Sequence, residues 1–225
     1  QAMNVAMYEA QLYFEQREAL LNHLSGNVVP LAAGRALVNE APNNVSILPL
    51  SDGGRGLLLT ARTLGDLREK RLALMYLVDT DKGPLVYRLT ADGRPSAAIS
   101  STITKEVYRA LLATPSAPVH WVTDGGTPQR LYLFESLGDE PGEGWLGLEI
   151  LGEDLDSMLR RNDAGNYMLL DQHGQVVLAT DAEALGSGAS RTLLRGDGFG
   201  FIGAGPLPQH MVLFQHVGSS SWDLI

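Results

Sequence analysis

The chain has 225 residues, 44% of them hydrophobic and 19% charged, with a formal net charge of -9 and no cysteine. That balance fits one large folded domain or two small ones and excludes wholesale disorder, disulfides, thiolate metal sites and a cysteine nucleophile. Nucleic acid is excluded as a partner by the acidic charge and by the scatter of the 17 Lys and Arg residues, which cluster only in "REKR" at 68–71.

From Ala2 to about Leu24 there is neither Pro nor Gly, and apolar residues recur at Met7, Ala10, Phe14, Leu21 and Leu24, with Arg17 breaking the series. The pattern predicts an amphipathic helix of about 35 Å at 1.5 Å per residue. Spacings of three and four suit either packing along the chain's own domain or a coiled-coil seam. Gly26 and Pro30 in "SGNVVP" end or kink the helix, and 31–41 reads as a second one.

Beyond Pro42 the period becomes strand-like. Strands are expected at 56–62, 71–79 and 84–90, with a short helix at 64–70. A helix at 104–114 precedes strands at 118–124, 129–137 and 144–151, whose short turns rich in Gly and Pro make them antiparallel neighbours. The helix at 153–163, acidic in its first turn and basic in its last, reads as a connector. Then the order begins again: a strand pair at 166–179, a polar segment at 181–189, and strands near 191–195, 199–203, 210–217 and in "SWDLI". The hairpin at 74–93 is thus restated at 166–186. These elements define an α+β chain with an N-terminal helical segment (1–41), a first lobe (42–151), and a connector helix with a second, shorter lobe (152–225).

The catalytic motifs dissolve on inspection. "GFGFIG" at 198–203 has the letters of a dinucleotide-binding turn, but Pro206 and Pro208 oppose the helix that must follow, and a tight turn is the reading kept. His210 and His216 share one strand face about 20 Å apart and cannot chelate one ion. His23, His120 and His173 fall in different elements. "GDEPGEG" reads as a solvated turn, and "GSGAS" lacks the spacing of a nucleophile elbow. No apolar run approaches the roughly 20 residues that span a bilayer. Both chain ends read as cut inside regular elements, so apolar stretches of about 20 residues are expected before Gln1 and after Ile225.

With its long N-terminal helix followed by "YLVDTDKGPLVY" (76–87), "YMLLDQHGQVVLAT" (167–180) and the closing "SSWDLI", the chain resembles the double Cache sensor domains of bacterial membrane receptors, two PAS-like lobes in tandem. The resemblance implies a periplasmic input domain tied to the inner membrane by flanking helices. The parent protein would foremost be a sensor histidine kinase, alternatively a chemoreceptor or a cyclic-dinucleotide enzyme. It implies no catalysis and no cofactor in this fragment, and a small ligand held in the membrane-distal first lobe between the sheet and residues 91–117. Trp121, Tyr132 and Asp124 are similar to part of the aromatic, Arg and Asp set of amino-acid binders. Expected ligand contacts are Tyr76, Tyr87, Trp121, Thr123, Asp124 and Tyr132, with core packing as the alternative for Trp121 and Tyr132 and a surface position for Arg88 and Arg130. A homodimer through the N-terminal helix is a further expectation. The rival reading is a dimerisation or protein-interaction module whose pocket is filled by side chains.

Overall fold

A computed structural model of the chain describes residues 2–50, 54–78, 85–89, 95–98, 105–113, 119–123, 130–138, 143–161, 166–181, 198–202, 210–218, 220 and 222–225. The expected class holds: a long N-terminal helix is followed by antiparallel sheets. Helix α1 (Ala2–Ser25) buries the residues that its periodicity marks, among them Met7, Ala10, Phe14, Leu21 and Leu24. Arg17, where the series breaks, is itself buried at 9% exposure, its aliphatic stem continuing the stripe.

A small sheet comes next. Strand β1 (Val28–Pro30), helix α2 (Leu31–Glu40), strand β2 (Val45–Pro49) and strand β3 (Arg55–Thr60) form a three-stranded layer in the order β1-β3-β2. Two of these strands were not anticipated, because Val28–Pro30 reads as a helix terminator and 45–49 carries Pro49 at its end. Packing is close at Gly56, where a Cβ would lie 2.6 Å from Ile47 Cδ1 on β2 and 3.1 Å from Leu31 Cδ1 on α2, so both side chains would have to shift. Helix α3 (Ala61–Glu69) begins three residues before the expected start, where the Thr60 hydroxyl accepts the Thr63 N–H and caps it.

Six strands make the larger sheet: β4 (Ala73–Val78), β5 (Leu85–Leu89), β6 (Pro95–Ala98), then, after helix α4 (Lys105–Ala113), β7 (His120–Thr123), β8 (Arg130–Ser136) and β9 (Trp145–Leu151). Their order is β6-β5-β4-β9-β8-β7. Strand β6 lies inside the segment expected to cover the ligand and instead extends the sheet at one edge, Pro95 opposite Leu89, an edge being where proline is tolerated.

Helix α5 (Gly152–Arg161) leads to the second sheet: β10 (Met168–Leu170), β11 (Val176–Ala179), β12 (Gly198–Ile202), β13 (His210–His216) and β14 (Asp223–Leu224), in the order β11-β10-β14-β13-β12. The motif "GFGFIG" is not a tight turn: its first five residues are β12, paired with β13 from Gly198↔Phe214 to Ile202↔His210. The strand expected at 191–195 and most of the polar segment at 181–189 lie outside the described residues. Packing divides the chain into two compact units, one of Gln1–Gln16, Val122–Leu131 and Leu151–Ile225, the other of Arg17–Trp121 and Tyr132–Ile150. Among the described residues no helix is long and apolar enough to cross a membrane.

Candidate functional site

The six-stranded sheet has two chemically different faces, and the registers show which residues share each. Tyr76 stands opposite Tyr87 on one side and Leu146 on the other, while Met75 stands opposite Arg88 and Gly147. Because side chains alternate along a strand, Tyr76, Leu74 and Leu146 occupy one face, and Met75, Arg88, Trp145, Gly147 and Glu149 the other.

The first face belongs to α1. Trp121 Nε1 donates to Glu18 Oε1 at 2.9 Å. Ser25 Oγ and Asn22 Nδ2 donate to the two carboxylate oxygens of Glu135, at 2.8 and 3.4 Å. Three polar side chains of α1 therefore anchor it to β7 and β8, over a floor of buried leucines and Tyr76.

The second face lies under α4, whose Tyr108 meets Trp145 edge-on with ring centroids 5.9 Å apart. Phe134 belongs here, since a Cβ on Gly147 would fall 2.5 Å from its ring, and Tyr132 shares that side of β8 with a centroid separation of 6.2 Å from Phe134. This face carries three unusual polar features. Trp145 is 2% exposed, and its Nε1 has no hydrogen-bond partner among the described residues. Glu149 is 3% exposed, a buried carboxylate on an otherwise apolar strand. Arg88, 44% exposed, reaches it from two strands away, Nη2 to Oε1 at 2.6 Å.

The structure does not bring the six expected contacts together. Tyr76 and Trp121 are on the α1 face, and Thr123 shares the Trp121 side of its strand with its hydroxyl donating to the Arg130 carbonyl at 3.2 Å. Tyr132 alone is on the α4 face. The backbone of Tyr87 is opposite Tyr76, but its side chain, like the whole of Asp124, lies outside the described residues. Arg88 has the exposed position expected of it and an ion pair that was not. The two residues missed, Glu149 and Trp145, had one sequence signal: Glu149 is the only charged residue within the apolar run "WLGLEIL".

The second sheet is differently furnished. Tyr167 Oη donates to Asp156 Oδ1, Arg160 Nε donates to Asp156 Oδ2 at 2.8 Å, and Arg160 Nη2 reaches the Thr180 carbonyl at 3.3 Å, so α5 is tied to β10 and β11. Burial, then the bond to Asp156, push the Tyr167 phenol above its ordinary value; the same carboxylate raises Arg160. Trp222 Nε1 donates to Gln172 Oε1 at 2.8 Å. Asp223, buried on the central strand β14, pairs with His216 opposite it on β13. Among the described residues no group of three or more His, Asp or Glu side chains could hold a metal ion.

No protein-family model matches the sequence, and no curated protein matches it. Solved structures do. The periplasmic sensory domain of the Campylobacter jejuni chemoreceptor Tlp1 superposes with a TM-score of 0.57 at 12% identity, over 98% of this chain and 90% of that one. The ligand-binding domain of the Pseudomonas aeruginosa amino acid chemoreceptor PctB, in complex with L-Arg, gives 0.54 at 15% identity, over 98% and 89%. The extracellular domain of soHK1S-Z6, described as a histidine kinase, gives 0.51 at 9% identity, over 100% and 88%. The fold is that of Cache-type sensor domains, as the sequence resemblance implied.

Proposed function

We propose that this chain is the extracytoplasmic ligand-sensing input domain of a bacterial transmembrane signalling receptor, and that its ligand binds on the α4 face of the six-stranded sheet. The observation that carries the site is a buried carboxylate, Glu149, on the same sheet face as the indole N–H of Trp145, which has no partner among the described residues. A buried carboxylate suits a cationic nitrogen, through charge-assisted hydrogen bonds. Trp145 Nε1 is a donor for a ligand oxygen. About 13 Å apart along β9, they suit an elongated amine or basic amino acid, and the L-Arg held by PctB supports that class. Of the contacts expected from sequence, Tyr132 belongs to this site.

Thermal-shift screening of the twenty L-amino acids, putrescine, agmatine and succinate tests the reading, because a ligand that binds only the native state raises its melting temperature. The expected hit stabilises the wild type and Trp121→Phe but neither Glu149→Gln nor Trp145→Phe. Stabilisation that survives both of the latter substitutions would refute the site.

The parent receptor we propose is a sensor histidine kinase; the likeness to Tlp1 and PctB supports a chemoreceptor as the second reading. Expression with the flanking gene sequence decides between them by autophosphorylation. Self-association through α1 is supported by Val5, Tyr8 and Leu12, exposed apolar residues at heptad spacing along one side of an open groove of about 450 Å³ that also includes Tyr13 and Met158. Sedimentation of the wild type against Tyr8→Lys tests it, a dimer lost in the variant being the expected result.

A further inference from the structure

We propose that Arg88 is a tethered competitor for the cationic end of the ligand, pairing with the Glu149 carboxylate and giving it up when ligand enters. The inference rests on the α4 face being the ligand site. Its geometry is that of an arm. Arg88 stands on β5 and Glu149 on β9, with β4 between them, so the arginine side chain crosses the sheet face on the diagonal from Met75 to Ala73. One end of the pair is fixed and dry, Glu149 at 3% exposure, and the other is half in water, Arg88 at 44%. Arg88 can exchange the carboxylate for water, whereas Glu149 stays buried whichever cation it faces, and a buried carboxylate favours one. A ligand ammonium or guanidinium would replace the arginine charge for charge.

The pair thus acts as an affinity governor. When binding requires a state in which the arm is released, the apparent dissociation constant rises in inverse proportion to the fraction of molecules in that state. A ligand-contact role for Arg88 predicts the opposite response to its removal, so the two roles separate cleanly.

The test titrates L-arginine and agmatine by calorimetry into the wild type, Arg88→Met and Arg88→Lys, with folding checked by circular dichroism. Arg88→Met is expected to bind the probes more tightly, on the order of tenfold for an arm released in a tenth of molecules, or to bind a probe that the wild type does not register. Should Arg88→Met fail to fold, Arg88→Lys, which keeps the charge but loses the planar fork, is expected to shift affinity the same way by less. Equal or weaker binding in the variants, or no binding of either probe to any of them, overturns the proposal. If another compound of the screen is lost by Glu149→Gln yet indifferent to Arg88→Met, the sensor reading stands and the competitor alone fails.

Discussion

Trp145 in the six-stranded sheet and Trp222 in the second sheet are equally dry, at 2% and 1% exposure, but their indole nitrogens differ: Trp222 donates to Gln172, and Trp145 has no partner among the described residues. Trp121, the third tryptophan, donates to Glu18. Two of the three are therefore structural anchors, and the third presents a donor that no described residue accepts. Burying an unsatisfied donor costs about 1–3 kcal/mol. On the proposed function, that donor is kept for a ligand oxygen.

Filling that surface should break the contrast most strongly. Gly147→Val would drive a branched side chain into the Phe134 ring and cost about 3 kcal/mol in urea unfolding, partly recovered when Phe134→Ala is added. An unchanged midpoint would mean that the α4 face is slack. The tryptophan-to-phenylalanine series comes next: about 2 kcal/mol for Trp121, which loses a charge-assisted bond, about 1 kcal/mol for Trp222, and near zero for Trp145, whose orphan donor disappears with the substitution. Equal losses at all three positions would show that Trp145 Nε1 is satisfied after all.

Tyr167→Phe sharpens the second-sheet side of the comparison. It should cost about 1 kcal/mol at neutral pH through the lost bond to Asp156. Burial and that bond raise the folded-state value of the phenol, so its stabilisation is fully present below about pH 10, the ordinary tyrosine value, and is lost as pH rises from there toward the raised folded-state value. The gap between wild type and variant should accordingly stay constant from pH 6 to 9 and shrink in more alkaline solution; a gap that widens there contradicts the assignment. The smallest effect is expected at Asn22→Ala, about 0.5 kcal/mol, because its bond to Glu135 is long at 3.4 Å and exposed.

Much of this architecture was legible in the sequence for a physical reason: β4, β7 and β9 bury almost every residue and β8 its four middle ones, so they are written as apolar runs, and α1 and α5 carry clear helical signals. What escaped notice was marginal in composition. Strand β6 is made of Pro, Ser and Ala, which no strand propensity favours, and exists because β5 offers it an edge. The site was less legible than the fold. Alternation correctly separates Trp121 from His120 along β7, but one strand cannot reveal which side α1 will take. That choice put Trp121 on the helix and left Tyr132 under α4. Glu149 was visible as a lone charge in an apolar strand, though its partner, 61 residues earlier on β5, follows only from the strand order.

Strand β4 meets β9 at Ala73↔Glu149, so everything between, including β5, β6, α4 and the β7–β8 pair, is in effect one long loop closed by the central pairing of the sheet. The entropy of closing such a loop grows only with the logarithm of its length, about 0.6 kcal/mol for each doubling. Residues inserted or exchanged between β6 and β7 would therefore leave the closing pair almost untouched. The connections on either side of α4 can change in length and chemistry while Glu149 stays in register with Ala73.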